Sequence, residues 1–403
     1  MTHAPASLPV SPPQTERRRI SILGATGSIG CNTLEVMSHL GGREAFAVPA
    51  ITGMGNIGLL AQQARQTGAG FAVTADPDRY HELKSALAGT GIEVGAGPAA
   101  LVEAGERDTD LVMAGIVGIA GLAPTLAAVA RGADIGLANK ECLVSAGDLF
   151  TAAITKGGGK LLPVDSEHNA IFQVLEENQR HAIQRIILTA SGGPFRNYTR
   201  AQMAAVTPEI AAAHPNYSMG LKISIDSASM FNKALEMIEA RHLFGIEPEQ
   251  IEVIVHPQSI IHSMVGYCDG SVLAQLGVPD MRHAIGYAIS HPRRANLPVE
   301  RLDFAALARL DFSAPDEERF PALTLARTAM QRGGLQGAVL NGAKEAALEA
   351  FIAGQIGFLG MADIVAATMD RLDDGRVAQS IEDVYAADKD ARAVAASLLR
   401  KSA

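Results

Sequence analysis

The chain has 403 residues, 48% of them apolar and 19% charged, enough to bury a substantial core in two or three domains. With 34 basic against 43 acidic residues the formal charge is −9, and no long basic block is present, which argues against nucleic acid or an anionic membrane as the main partner. Cys31, Cys142 and Cys268 form neither a CxxC pair nor an even framework, so they read as small core residues of a protein in a reducing, cytoplasmic compartment.

Residues 1–16 are rich in Pro, Ser and Thr without a continuous apolar stretch, and are expected to be a disordered extension and not a signal peptide. Arg17-Arg18-Arg19 is followed by too short an apolar run for a twin-arginine signal. From residue 19 to 164, short apolar segments at 20–23, 45–51, 71–74, 111–114, 135–138 and 160–164 alternate with helical stretches. This predicts an α/β class, a Rossmann-like doubly wound parallel sheet over residues 17–164. The uncharged stretch 111–130 is interrupted by Gly115, Gly118, Gly121 and Pro124, and reads as strand, glycine turn and short helix in place of a membrane span.

Gly24-Ala25-Thr26-Gly27-Ser28-Ile29-Gly30 follows the first strand and enters a helical stretch. Small residues there let backbone approach a pyrophosphate, and the helix start offers unpaired N–H groups. Gly24, Thr26, Gly27, Ser28 and Ile29 are therefore candidates for dinucleotide contact, although the spacing is GxxGxxG. The second strand gives way to Thr52-Gly53-Met54-Gly55-Asn56, with no acid for a ribose diol, which favours NADP, and no Lys or Arg for a ribose phosphate. Gly53 and Asn56 join the cofactor set, as do Asn139, Lys140 and Glu141 at the carboxyl edge of the sheet.

Asp165-Ser166-Glu167-His168-Asn169 places two acids directly after a buried strand. In Asp226-Ser227-Ala228-Ser229-Met230-Phe231-Asn232-Lys233, with Glu236 beyond, Ser229, Asn232, Lys233 and Glu236 fall at helical spacing and are expected on one face. Asp165, Glu167 and Glu236 form an oxygen-rich set suited to magnesium or manganese. Residues 165–291 read as a central α+β unit whose segments at 260–267 and 271–276 form a hairpin through Cys268-Asp269-Gly270. Residues 292–318 read as a connector. Residues 319–403 read as a helical bundle, with segments near 323–332, 340–353, 361–372 and 388–399.

Together with Ala138 to Glu141, Ser191-Gly192-Gly193-Pro194-Phe195, His214-Pro215-Asn216 and His256-Pro257-Gln258-Ser259, these motifs closely resemble 1-deoxy-D-xylulose 5-phosphate reductoisomerases from residue 19 onward. The resemblance implies an NADPH-dependent homodimer that uses Mg2+ or Mn2+, with Co2+ a further option. Such an enzyme rearranges and reduces a phosphorylated sugar to 2-C-methyl-D-erythritol 4-phosphate in isoprenoid precursor synthesis, the rearrangement preceding hydride transfer. By position it makes Asp165, Glu167 and Glu236 the metal ligands and places Ser166 against the substrate. Ser191, Ser227, Asn232 and Lys233 would hold its phosphate. His214, Tyr217, Met219 and Gly220 belong to a segment, 214–220, that resembles the family's mobile lid, where tryptophan commonly stands in place of Tyr217. His262 is similar to a histidine associated with activity, and Lys140 would donate to a substrate oxygen. The 260–276 hairpin is the candidate dimer interface. Two other readings compete: a dehydrogenase of a phosphorylated aldehyde or ketone without rearrangement, and an NADP-binding protein without turnover.

Overall fold

The computed structural model describes residues 17–212 and 220–402. Eight strands form the first sheet: β1 Arg18–Leu23, β2 Phe46–Ala47, β3 Ala50–Gly53, β4 Phe71–Thr74, β5 Glu93–Ala96, β6 Leu111–Ala114, β7 Asp134–Leu137 and β8 Leu161–Pro163. Their order is β5-β4-β3-β1-β6-β7-β8, with β2 paired to the start of β1, and every pairing is parallel. Chain direction across the sheet reverses between β1 and β6, the place where open α/β sheets bind ligands. The stretch 45–51, expected as one strand, is split at Val48-Pro49, where proline has no N–H to give a ladder. β5 was not expected: it is a short, partly exposed edge with two small residues and little apolar signal.

Burial on both faces explains the apolar strands. Ile20, Ile22, Ile51, Leu111 and Met113 meet the helices Ser28–His39, Ile57–Thr67 and Arg282–Ser290 on one side. Leu23, Val112, Ala114, Ile135 and Leu137 meet Leu122–Ala130 and Glu141–Gly157 on the other. That second apolar cluster continues into the C-terminal helices Ala322–Arg332, Gln336–Ile352, Gly360–Arg371 and Ile381–Ser402. No helix among the described residues is long and apolar enough to cross a membrane.

The second sheet contains β9 Ile183–Ala190, β10 Ile251–Val255, β11 Ile261–Tyr267 and β12 Val272–Leu276, in the order β10-β9-β11-β12. β9 and β10 are parallel, and the β11–β12 hairpin is antiparallel, turning at Gly270 with φ 86. β12 is the edge. Of the three cysteines only Cys142 is in the core. Cys31 and Cys268 are exposed, one on the helix after the glycine turn and the other at the hairpin tip.

The expected continuous helical face from Ser229 to Glu236 is broken. Leu221–Ala228 and Phe231–Phe244 are separate helices, and Met230 between them is left-handed at φ 64. Ser229 closes the first helix, where its hydroxyl donates to the Ile225 carbonyl at 2.8 Å, while Asn232, Lys233 and Glu236 belong to the second.

Candidate active site

Gly24 follows β1 with φ 88, and a Cβ there would lie 2.7 Å from the carbonyl oxygen of Gly115, which follows β6. Only glycine permits this crossing of the two loops at the sheet's reversal point. Gly30 sits so close to Ala25 that a Cβ would fall 2.3 Å from its Cα, which draws the first turn of the Ser28–His39 helix against the strand. The helix start therefore opens into a cavity of about 460 Å³. Its wall includes Gly27, Ser28 and Ile29 on this side, and Asn139, Lys140 and Glu141 after β7. Asn139 donates to the Gly118 carbonyl at 2.9 Å and to that of Ile116, leaving its buried Oδ1 as an unpartnered acceptor. A loop that forbids side chains, a helix start and a free acceptor fit a dinucleotide.

Across the same cavity lie Asp165, Ser166 and Glu167, then Ser191, then Gly220 and Ser227, then Asn232, Lys233 and Glu236. β8 delivers Asp165 as the cap of the helix Ser166–Val174, its carboxylate accepting from the Glu167 N–H at 3.1 Å. Gly192 and Gly193 turn with φ 78 and 64, and a Cβ on Gly193 would stand 3.1 Å from the Ser227 carbonyl oxygen, so Ser191 and Ser227 are brought to one corner. Met230 and Ser259, two non-glycine residues with positive φ, also line the cavity. Such backbone costs on the order of 1–3 kcal/mol and collects at functional sites.

One oxygen from each of Asp165, Glu167 and Glu236 can be chosen so that all three lie within 4.8 Å of one another. An octahedral ion with oxygen at roughly 2.1 Å spans ligands about that far apart, so the trio fits a hard divalent cation. Two ammonium groups bind the acids together. Lys140 donates to Asp165 Oδ2 at 2.9 Å, Asn232 Oδ1 at 2.9 Å and Glu236 Oε1 at 3.0 Å. Lys233 meets Glu167 Oε1 at 3.1 Å and donates to Glu236 Oε2. Burial alone would push Asp165 up, but Lys140, His168 and Lys233 outweigh it and hold the carboxyl below its usual range. Burial, helped by neighbouring Glu236 and Asp165, pushes Glu167 up to about 7. Burial also works against charge on Lys140 and Lys233, yet the surrounding carboxylates raise both.

Several candidates lie elsewhere. Gly24, Thr26, Gly53 and Asn56 are not among the residues that line the cavity: Asn56 caps the Ile57–Thr67 helix, accepting from the Leu59 N–H at 3.1 Å. His262 is buried in β11 and hydrogen-bonds the backbone at Gly277 and Val278, the start of a loop whose Pro279, Asp280 and Met281 do line the cavity. His214, Tyr217 and Met219 fall outside the described residues.

The sequence reading passed over that loop and a buried pair behind the acids. His168 Nδ1 is 3.0 Å from Glu239 Oε2 and 3.4 Å from Asp165 Oδ1, and its Nε2 bonds the Glu236 carbonyl at 2.9 Å. Burial opposes its charge, but Glu239 and Asp165 raise it to about 9, which favours a charged imidazole beside Asp165. Glu239 stands three residues beyond Glu236 on the same helix, a spacing from which it could have been found.

The parallel sheet covered on both faces, with a dinucleotide cradle at its reversal point joined to an oxygen-ligand metal cluster and anion donors, defines a nicotinamide-dependent oxidoreductase that also uses a divalent metal. Family models agree: residues 20–147 match 1-deoxy-D-xylulose 5-phosphate reductoisomerase, 161–244 its C-terminal domain, and 276–394 the DXP reductoisomerase C-terminal domain. The chain is 71% identical over 384 residues to the enzyme so named from Sinorhizobium fredii, covering 95% of this chain and 98% of that one, and 70% identical to that of Rhizobium meliloti over the same shares. Among solved structures, the Zymomonas mobilis enzyme in complex with NADPH superposes with a TM-score of 0.91 at 52% identity, over 95% and 99% of the two chains. A reductoisomerase complex with NADPH, fosmidomycin and magnesium gives 0.90 at 40%, over 95% and 98%. The chain belongs to the 1-deoxy-D-xylulose 5-phosphate reductoisomerase family.

Proposed function

We infer that this chain converts 1-deoxy-D-xylulose 5-phosphate to 2-C-methyl-D-erythritol 4-phosphate, using NADPH and Mg2+ or Mn2+. The observation that carries the reading is that one cavity joins the glycine turn, the three-carboxylate cluster and the Ser191, Ser227, Asn232 and Lys233 donors. A plain dehydrogenase needs no such cluster, and a protein that only binds NADP needs neither cluster nor donors.

Asp165, Glu167 and Glu236 would hold the metal, which supplies positive charge where oxyanion character grows during rearrangement. Ser191, Ser227, Asn232 and Lys233 offer hydroxyl, amide and ammonium hydrogens to a phosphate dianion. Lys140, bonded to both Asp165 and Glu236, is placed to donate to a substrate oxygen beside those acids. Ser166, whose hydroxyl donates to Glu167, would orient that acid against the substrate. Gly27, Ser28 and Ile29 would bind the pyrophosphate of NADPH, with Asn139 as an acceptor nearby. Ile29, Ile223 and Met281 give the cavity apolar wall that displaces water from the reacting carbons. His262 supports the wall from behind instead of touching substrate.

We place the protein in the cytoplasm, in keeping with three cysteines free of disulfides. A homodimer through the β12 edge is supported by Val272 and Leu273, 44% and 38% exposed on a strand with one side unpaired.

The test is NADPH oxidation with 1-deoxy-D-xylulose 5-phosphate, with Mg2+ or Mn2+ and with excess chelator, the product identified by NMR. Metal-dependent formation of the branched product is expected. An unrearranged alcohol would replace this reading with the dehydrogenase, and binding of NADPH without turnover would replace it with the binding protein.

A further inference from the structure

The cavity has one wall whose position depends on charges outside it. The helix Leu221–Ala228 contributes Ile223, Asp226 and Ser227 to the cavity, yet it is eight residues long, has no side-chain cap at its start, and ends at the Met230 break. Helices this short do not hold themselves, so tertiary contacts must fix it. Ile225 and Ala228 pack it into the apolar core, and its polar side is held by ionic contacts. Lys344, 2% exposed in the middle of Gln336–Ile352, donates to Asp226 Oδ2 at 2.9 Å and to Glu345 Oε1 at 2.5 Å. Glu345 Oε2 in turn meets Lys222 at 3.2 Å, and Lys222 reaches Glu349 Oε1 at 2.9 Å. Both ends of the helix are thus tied to one C-terminal helix.

We propose that Lys344 is a positioning residue for the phosphate end of the substrate: through Asp226 it sets Ser227 against Asn232 and Lys233, and it offsets the acids that face the incoming dianion. This rests on the function inferred above. Asp226 and Glu141 both line the cavity, and an uncompensated carboxylate there would repel a phosphate. Burial works against charge on Lys344, but Asp226, Glu345 and Glu141 more than restore it. Burial also pushes Asp226 up, so removing Lys344 would leave that acid either protonated or unpaired, and released from its place in both cases. A residue that served only to satisfy Asp226 would affect folding and leave the affinity for phosphate as it was.

Lys344→Met and Glu345→Gln in the full-length protein separate these cases. Four constants are read against the unaltered chain: the Kd of inorganic phosphate by titration calorimetry, the Kd of NADPH, and kcat and KM for the phosphorylated sugar. For Lys344→Met, phosphate Kd and substrate KM are expected to rise roughly 10-fold or more, with kcat within about 3-fold and NADPH Kd within about 2-fold. Glu345→Gln keeps the Lys344–Asp226 pair and cuts the link to Lys222, so a rise of about 2- to 5-fold in the same two constants is expected. Unchanged phosphate Kd and KM, or an equal loss of NADPH affinity, would overturn the proposal. If Lys344→Met does not fold, Lys344→Gln, which keeps a donor towards Asp226 and removes the charge, decides in its place, and wild-type phosphate Kd and KM from it overturn the proposal. If the unaltered chain binds phosphate but turns over no substrate, the function fails, while the phosphate constants still judge Lys344.

Discussion

Glu236 divides its two oxygens among Lys140, Asn232 and Lys233, so its loss would disturb every partner in the cluster. Glu236→Gln keeps the shape and removes one charge from the metal set. Its expected cost is on the order of 10²–10³-fold in kcat, with weaker Mn2+ binding by titration and unchanged NADPH affinity. His262 gives a pH prediction. Burial, with His283 nearby, lowers it from 6.5 to about 4. Between those values the unfolded chain holds a proton that the folded chain does not, so stability is full above 6.5 and falls as pH drops towards 4. The loss is of the order of 3 kcal/mol at most, and chemical denaturation of His262→Gln across that window should show a flatter profile. Asp165, Glu167 and Glu236 were legible because acids after a buried strand and along a helix leave a local pattern. Lys344 was not: in an alanine-rich helix a lysine reads as surface, and its partner Asp226 is 118 positions away.

Gly30 and Gly58 show how the same residue type differs between elements. Gly30→Ala would drive a methyl into the Ala25 backbone, displacing the helix start, and NADPH Kd measured by fluorescence should rise at least about 10-fold, the size of one lost strong interaction. Nothing lies within 4 Å of a Cβ on Gly58, inside the Ile57–Thr67 helix, so Gly58→Ala should raise stability by roughly 0.5–1 kcal/mol. The loop from Gly53 to Asn56 has no cation, and Asn56 is spent on its cap. Met54, 66% exposed, is open to change. Met54→Arg is expected to raise the NADPH to NADH ratio of kcat/KM by roughly 10-fold, one charge-assisted contact; an unaltered ratio would place the ribose phosphate elsewhere. Strands and the glycine turn could be read at this scale because their burial and turn chemistry are local. The break at Met230 could not, since left-handed methionine carries no composition signal and is held by tertiary packing.

At the scale of the molecule, the parallel sheet was foreseeable from alternation, whereas the shared apolar cluster linking it to the last helices was not, because periodicity tells which face is buried and not against what. Edge pairing at β12 carries a prediction of its own: Leu273→Lys places a charge on the exposed edge and should move sedimentation from dimer to monomer at micromolar concentration. A monomeric unaltered chain would remove that interface.

The reach of Lys344 back to Asp226 also sets an order of assembly as the chain leaves the ribosome. Gly24 can meet Gly115 once the first sheet strands have emerged, so the nucleotide turn belongs to the early part of synthesis. The wall that carries Ser227 must wait for residue 344, which at about 5–20 residues per second comes roughly 10–50 s later. During that interval the glycine turn can be in place while the phosphate corner is not, and full support for the sheet itself waits for Arg282–Ser290, so the order expected is cofactor site first and substrate site last.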